Sequence, residues 1–297
     1  MRWIAVWRRN FLVWRKLFIA SVLTNLADPL ILLFGLGYGL GALLPSVEGM
    51  SYMAFFAAGT LCSATMFTAS FESMFSGFSR MHGQKTWDAI LYAPLTIDDV
   101  VAGEIIWAAS KAWLSGATIL AVAAVFGLAA SPVVVLTLPV AFLVGLAFAA
   151  VGLIMTVLAK NWDFFSFYMT LIMTPMTMIS GVFFPAEQLP RPVLAFAAVG
   201  MIMTVLAKNW DFFSFYMTLI MTPMTMLSGV FFPAEQLPKP VLAVAQVLPL
   251  YHGVELVRPL VAGHLPSNVA LHIAVLLVYA AAGYALTIMF ARRRFSV

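Results

Sequence analysis

Apolar residues along this chain of 297 come in long blocks separated by short polar punctuation. The blocks cover residues 17–43, 52–73, 105–128, 134–158, 164–184, 212–232 and 269–291, with a shorter one at 193–207. A helix needs about 20 apolar residues, at about 1.5 Å rise each, to cross a hydrocarbon core. Lipid offers backbone amides no partner, so blocks of this kind must be helices. The pattern predicts an all-α fold, a polytopic transmembrane helix bundle forming a single membrane domain over residues 1–297.

Residues 151–198 recur almost letter for letter as residues 199–246, differing only at Leu153/Met201, Ile179/Leu227, Arg191/Lys239, Phe196/Val244 and Ala198/Gln246. Solenoid repeats drift in sequence and exceed two copies, so this pair reads as a recent tandem duplication. Without one copy the chain has six apolar blocks. With both, the junction at 193–207 reaches about 22 Å against a core of about 30 Å, which it spans only with snorkelling flanks or local thinning. Crossing there gives about eight spans and keeps both termini on one side.

Charge placement supports that parity. Arg2, Arg8, Arg9, Arg15 and Lys16 at one terminus and Arg292, Arg293 and Arg294 at the other fall on the same side as Lys160 and Lys208, leaving Arg191, Lys239 and Arg258 opposite. By the positive-inside rule the N- and C-termini are cytoplasmic. Residues 1–16 interleave their cations with Trp3, Trp7, Phe11 and Trp14, which fits a retained interfacial helix or a basic flank that orients the first span. The longest polar stretch, 78–104, is expected on the cytoplasmic side, where another protein can meet it. Residues 248–268, interrupted by prolines, are expected as a short helical break on the outer side.

Composition narrows the chemistry. Hydrophobic residues make up 63% of the chain and charged residues 9%, so water could not hold it folded. The net charge of +4 is spread over block ends rather than one face, which argues against nucleic acid. No glycine-rich phosphate loop precedes Lys85-Thr86, no G-x-S-x-G elbow occurs, and Cys62 has no partner cysteine. The four histidines lack metal-site spacing and read as interfacial or loop residues. No catalytic, cofactor or metal residue is expected. The intramembrane ionisable candidates are Asp28, Glu72 and Lys111. Glu72 and Lys111 lie near predicted inner ends, within reach of the interface, while Asp28 sits beside the kinking Pro29. Gly37 and Gly41 have the small-xxx-small spacing of close helix contact, or of a substrate path.

Four strings in order, spanning nearly the whole chain, carry a resemblance. They are Asn25-Leu26-Ala27-Asp28-Pro29 with Phe34 to Gly39; Arg80-Met81 with Lys85 to Leu91; Ser180-Gly181-Val182-Phe183-Phe184-Pro185 with Gln188-Leu189-Pro190, repeated from Ser228; and Leu248 to His252 with Glu255 to Pro259. The chain resembles type-2 ABC exporter permeases, in particular the nodulation-protein-J subgroup. The resemblance implies a homodimeric permease in the bacterial inner membrane, energised by a separate cytosolic, NodI-like ABC ATPase that binds ATP and magnesium. It further implies export of an amphiphilic substrate, a lipo-chitin-oligosaccharide-like glycan. Its ATPase-coupling segment falls on residues 80–95, with Arg80, Lys85, Thr86, Trp87, Asp88 and Leu91 as contacts. Asp28, Gly37, Gly41, His252, Glu255 and Arg258 are candidates for transport or packing. A permease for drugs or other hydrophobic compounds, a proton-coupled carrier and a scaffold subunit are the alternatives, and the scarcity of buried charge speaks against the carrier.

Overall fold

Among the described residues four helices are long and apolar enough to cross a membrane, and they coincide with four of the apolar blocks. The computed structural model describes residues 2–19, 46–47, 50–128, 131–169, 173, 176–177 and 246–295. Asp28, Pro29, Gly37 and Gly41, nearly all of the second copy and the count of eight crossings lie outside the described residues.

Helix α1 (Trp3–Trp14) opens the chain. A two-residue hairpin, β1 (Ser46–Val47) with β2 (Met50–Ser51), leads into α2 (Tyr52–Phe71), whose first turn is capped by the Ser51 hydroxyl accepting from Ala54 N–H. The helical run does not stop at Ser73. It continues through two π turns, Glu72–Ser76 and Ser79–Gly83. A short α3 (Thr86–Leu91) follows, and then α4 (Ile97–Val125).

Helix α4 starts well before its apolar block because Thr96 and Asp99 form a reciprocal capping box that serves the first-turn amides. The polar stretch 78–104 is therefore mostly helix, with its corners around Lys85 and at 92–96. Lys85 takes the left-handed conformation (φ 48°) that turns the chain into α3.

A 3-10 turn (Pro132–Leu136) precedes α5 (Thr137–Leu158). After α6 (Asp163–Tyr168) come α7 (Pro249–Val261) and α8 (Val269–Phe295). Helix α7 falls within the proline-marked stretch 248–268: Pro249 occupies its first turn, where no amide is lost, and Pro259 lies in its last. Helix α5 is central and packs against α2, α4, α7 and α8.

Two close approaches hold the bundle together. A Cβ on Gly152 of α5 would fall on Ser73 Oγ, so only glycine lets α5 reach the π turn. One turn on, Thr156 Oγ1 donates to the Ser73 carbonyl at 2.7 Å, using an acceptor that the π geometry frees. A Cβ on Gly103 of α4 would lie 2.6 Å from Val6 Cβ and 2.9 Å from the Trp3 carbonyl, so glycine seats α1 directly on α4. Trp7 Nε1 then donates to Ser110 Oγ, and Trp7, Phe11 and Trp14 meet Trp107 nearly edge-on.

Candidate functional site

The chain runs up and down, so the end of α2, the start of α4 and the ends of α5 and α8 share one end of the bundle. Side chains of both termini tie this end together. Arg2 donates to the Pro94 carbonyl and Arg9 to Thr86 Oγ1. Arg292 pairs with Asp98 at 2.6 Å, and Arg294 donates to the carbonyls of Val157 and Ala159 and to His82 Nε2. Arg9 thus holds the corner 84–91 itself, and the other contacts brace the residues on either side of it, His82, Pro94 and Asp98.

Beneath the corner lies a charged network. The Arg80 guanidinium forks onto Glu104, Nε at 3.0 Å and Nη2 at 2.5 Å, while Nη1 reaches Glu72 at 2.9 Å. Glu72 also accepts from Lys111 Nζ at 2.7 Å, Trp107 Nε1 at 2.8 Å and Ser76 Oγ at 3.0 Å. Two carboxylates and two cations balance, and Glu72 is 4% exposed. Glu72 does not reach for the interface, as expected from its place near a block end. It is buried because four donors replace its water. A planar fork matched to a carboxylate is the geometry that makes burial of an arginine tolerable.

Of the six expected coupling residues, Lys85 is exposed, Thr86, Asp88 and Leu91 are partly exposed, and Arg80 and Trp87 face inward. Trp87 is fully buried and stacks against Phe295 near the end of the chain, with ring centroids 6.0 Å apart. These two support the corner from below and do not present themselves to a partner. The physical reason is size: a short helix gains most of its fixation by burying its one large side chain.

His252, Glu255 and Arg258 sit on α7, at the opposite end from the corner. Arg258 places its guanidinium over the Phe55 ring, 3.9 Å from the centroid. His252 is not a separate loop histidine. Its Nε2 donates to the Gln246 carbonyl at 2.9 Å, which makes its Nδ1 the acceptor for His272 Nδ1–H at 2.8 Å. Burial lowers the His252 pKa from its usual value.

The network had a readable signal that the expectations did not use. Glu72 and Arg80 are eight residues apart, and Glu104 and Lys111 are seven apart, so each pair falls on one face of its helix. Asn10, buried on α1, carried no such signal.

Comparison with known proteins decides the family. The profile of the family described as "ABC-2 type transporter" matches residues 1–194 and 192–262, which together make up most of the chain. The chain belongs to the ABC-2 transporter membrane family. It is 40% identical to Nodulation protein J of Rhizobium leguminosarum bv. viciae over 294 residues, 99% of this chain and 95% of that protein. It is 40% identical to Nodulation protein J of Rhizobium meliloti (strain 1021) over 292 residues, 98% of this chain and 93% of that one. Inner membrane transport permease YadH of Escherichia coli (strain K12) is more distant, 24% identical over 63% of this chain and 74% of its own length. No solved structure matches.

The ABC-2 permease is a membrane transport subunit and not itself an enzyme, and permeases of this family work with an ABC ATPase. The two profile matches meet close to the junction of the repeated units, at 198/199.

Proposed function

We propose that this permease exports an amphiphilic, lipid-linked glycan of the lipo-chitin-oligosaccharide kind across the bacterial inner membrane. It acts as two copies with a separate cytosolic, NodI-like ATPase, which supplies ATP and magnesium chemistry. The cargo follows from the near full-length likeness to nodulation-protein-J relatives.

The observation that carries the ATPase contact is the braced corner. Lys85, Thr86, Asp88 and Leu91 present a surface of mixed charge at the end where Arg2, Arg8, Arg292 and Arg293 are also exposed. Cations gather on the cytoplasmic side of membrane proteins, so this end and both termini face the cytosol in our reading. A rigid support under the corner suits a coupling element, because a push from a nucleotide-driven partner must reach the spans without being absorbed locally. Arg80 and Trp87 act here as positioning residues, linking the corner to α4 and α8.

Purification in mild detergent from the native host tests the reading: a P-loop ATPase should co-elute at equal stoichiometry. Elution alone, from both the full chain and a form lacking residues 199–246, would overturn it.

A further inference from the structure

Two cavities lie side by side between α1 and the helices it rests on. The first, about 460 Å³, is lined by Arg9, Asn10, Glu72, Arg80 and Lys111. The second, about 440 Å³, is an aromatic trench that includes Trp7, Phe11, Phe18, Trp113 and Phe142. Trp14, Trp107 and Lys111 line both, so a polar box adjoins an apolar trench along one shared wall.

The box has hydrogen-bonding capacity left over. Three cations and one carboxylate line it. Arg80 and Lys111 are engaged with Glu72 and Glu104. Arg9 is not: among the described residues it donates only to the neutral oxygens of Asn10, at 2.9 Å, and Thr86, at 3.3 Å.

Asn10 is 3% exposed, and its Nδ2 has no acceptor. Its Oδ1 is already taken by Arg9, so the amide cannot be flipped to cure this. A buried donor left unmade is costly, and native structures seldom tolerate one without a reason. An anionic oxygen in the box would serve both the orphan amide and the Arg9 guanidinium, which feels the Glu104 charge but touches no carboxylate among the described residues.

We propose that the paired cavities form a binding site for an anionic membrane phospholipid. Its phosphate sits against Arg9 and Asn10 Nδ2, with Lys111 on the shared wall, and an acyl chain lies in the aromatic trench. The juxtaposition fits a molecule with one charged end and one apolar end, and α1 carries the basic-aromatic pattern of a helix at a lipid interface. A zwitterionic headgroup fits less well, because its amine would meet Arg9 while the one carboxylate of the box, Glu72, is already held by Arg80 and Lys111. The site requires neither the ATPase nor the export cargo, so it stands or falls separately from the proposed function.

Tryptophan quenching by brominated lipids tests it on the full chain in detergent micelles. Brominated phosphatidylglycerol should quench at a mole fraction about fivefold or more below brominated phosphatidylcholine, a difference on the order of 1 kcal/mol. Arg9→Gln should abolish that preference and Arg9→Lys should keep most of it. Asn10→Asp, which hands Arg9 an internal carboxylate, should also abolish it, providing a second variant if Arg9→Gln folds poorly. Glycerol 3-phosphate without acyl chains should leave the quenching unchanged. Equal quenching by both lipids in the wild type, retention of the preference in a folded Arg9→Gln or Asn10→Asp protein, or displacement of the lipid by glycerol phosphate would overturn the assignment.

Discussion

The two ends of this bundle bury polar groups in different ways. At the end bearing the corner 84–91, Glu72, Arg80, Glu104 and Lys111 form a closed ion network below an exposed, mixed-charge surface. At the other end, α7 lays Arg258 on an aromatic ring and pairs His252 with His272. The first arrangement ties the helical run Tyr52–Gly83 to α4 through strong, directional bonds. The second lays a short helix on its neighbours, with a cation–ring contact and a histidine pair among its attachments.

The largest effect that would sharpen this contrast is expected on the exposed surface. Asp88→Arg should reduce export to background with membrane levels unchanged; normal export by that variant would detach the corner from ATPase coupling. Next, Arg80→Ala should lower stability in detergent by about 3–5 kcal/mol, since it strands Glu104 and leaves Glu72 short of a donor. Arg258→Ala should cost only about 1–2 kcal/mol. Thermal unfolding of both variants side by side checks the ranking, and equal losses would break the comparison.

A smaller effect is expected for Gly103→Val, which pushes Val6 and the Trp3 backbone away from α4. Protease cleavage within α1 should become faster while the bundle stays folded. The smallest concerns pH. Because burial depresses the His252 pKa, its contribution is complete above the unfolded value of about 6.5 and is lost as pH falls through the lower folded value. The melting temperature should therefore drop from about pH 7.5 to about pH 5.5, and His252→Gln should flatten that dependence. A profile identical in wild type and variant would remove His252 as its source.

Much of the fold was legible in advance because span formation depends on local composition. The blocks at 52–73, 105–128, 134–158 and 269–291 each became a helix long and apolar enough to cross. Their polar ends were misjudged, since π turns after Phe71 and a capping box at Thr96 extend helix into residues that hydropathy scores as loop. The corner at 84–91 was legible through its string of residues. That Arg80 and Trp87 would turn inward was not, because which side of a short helical segment faces the bundle depends on what waits there, namely Glu104 and Phe295.

The sequence by itself determined that this chain lives in a membrane, that its helices carry cations at their ends, and which family it belongs to, because each follows from runs of neighbouring residues. Only the tertiary structure decided that Glu72, Arg80, Glu104 and Lys111 form one network, that His252 faces His272, and that Arg9 and Asn10 border a box opening beside an aromatic trench. Glu72 and Lys111 are 39 positions apart in the chain, Arg80 and Glu104 24, and His252 and His272 20. Their meeting depends on helix register and close approach at Gly103 and Gly152, which no local pattern records.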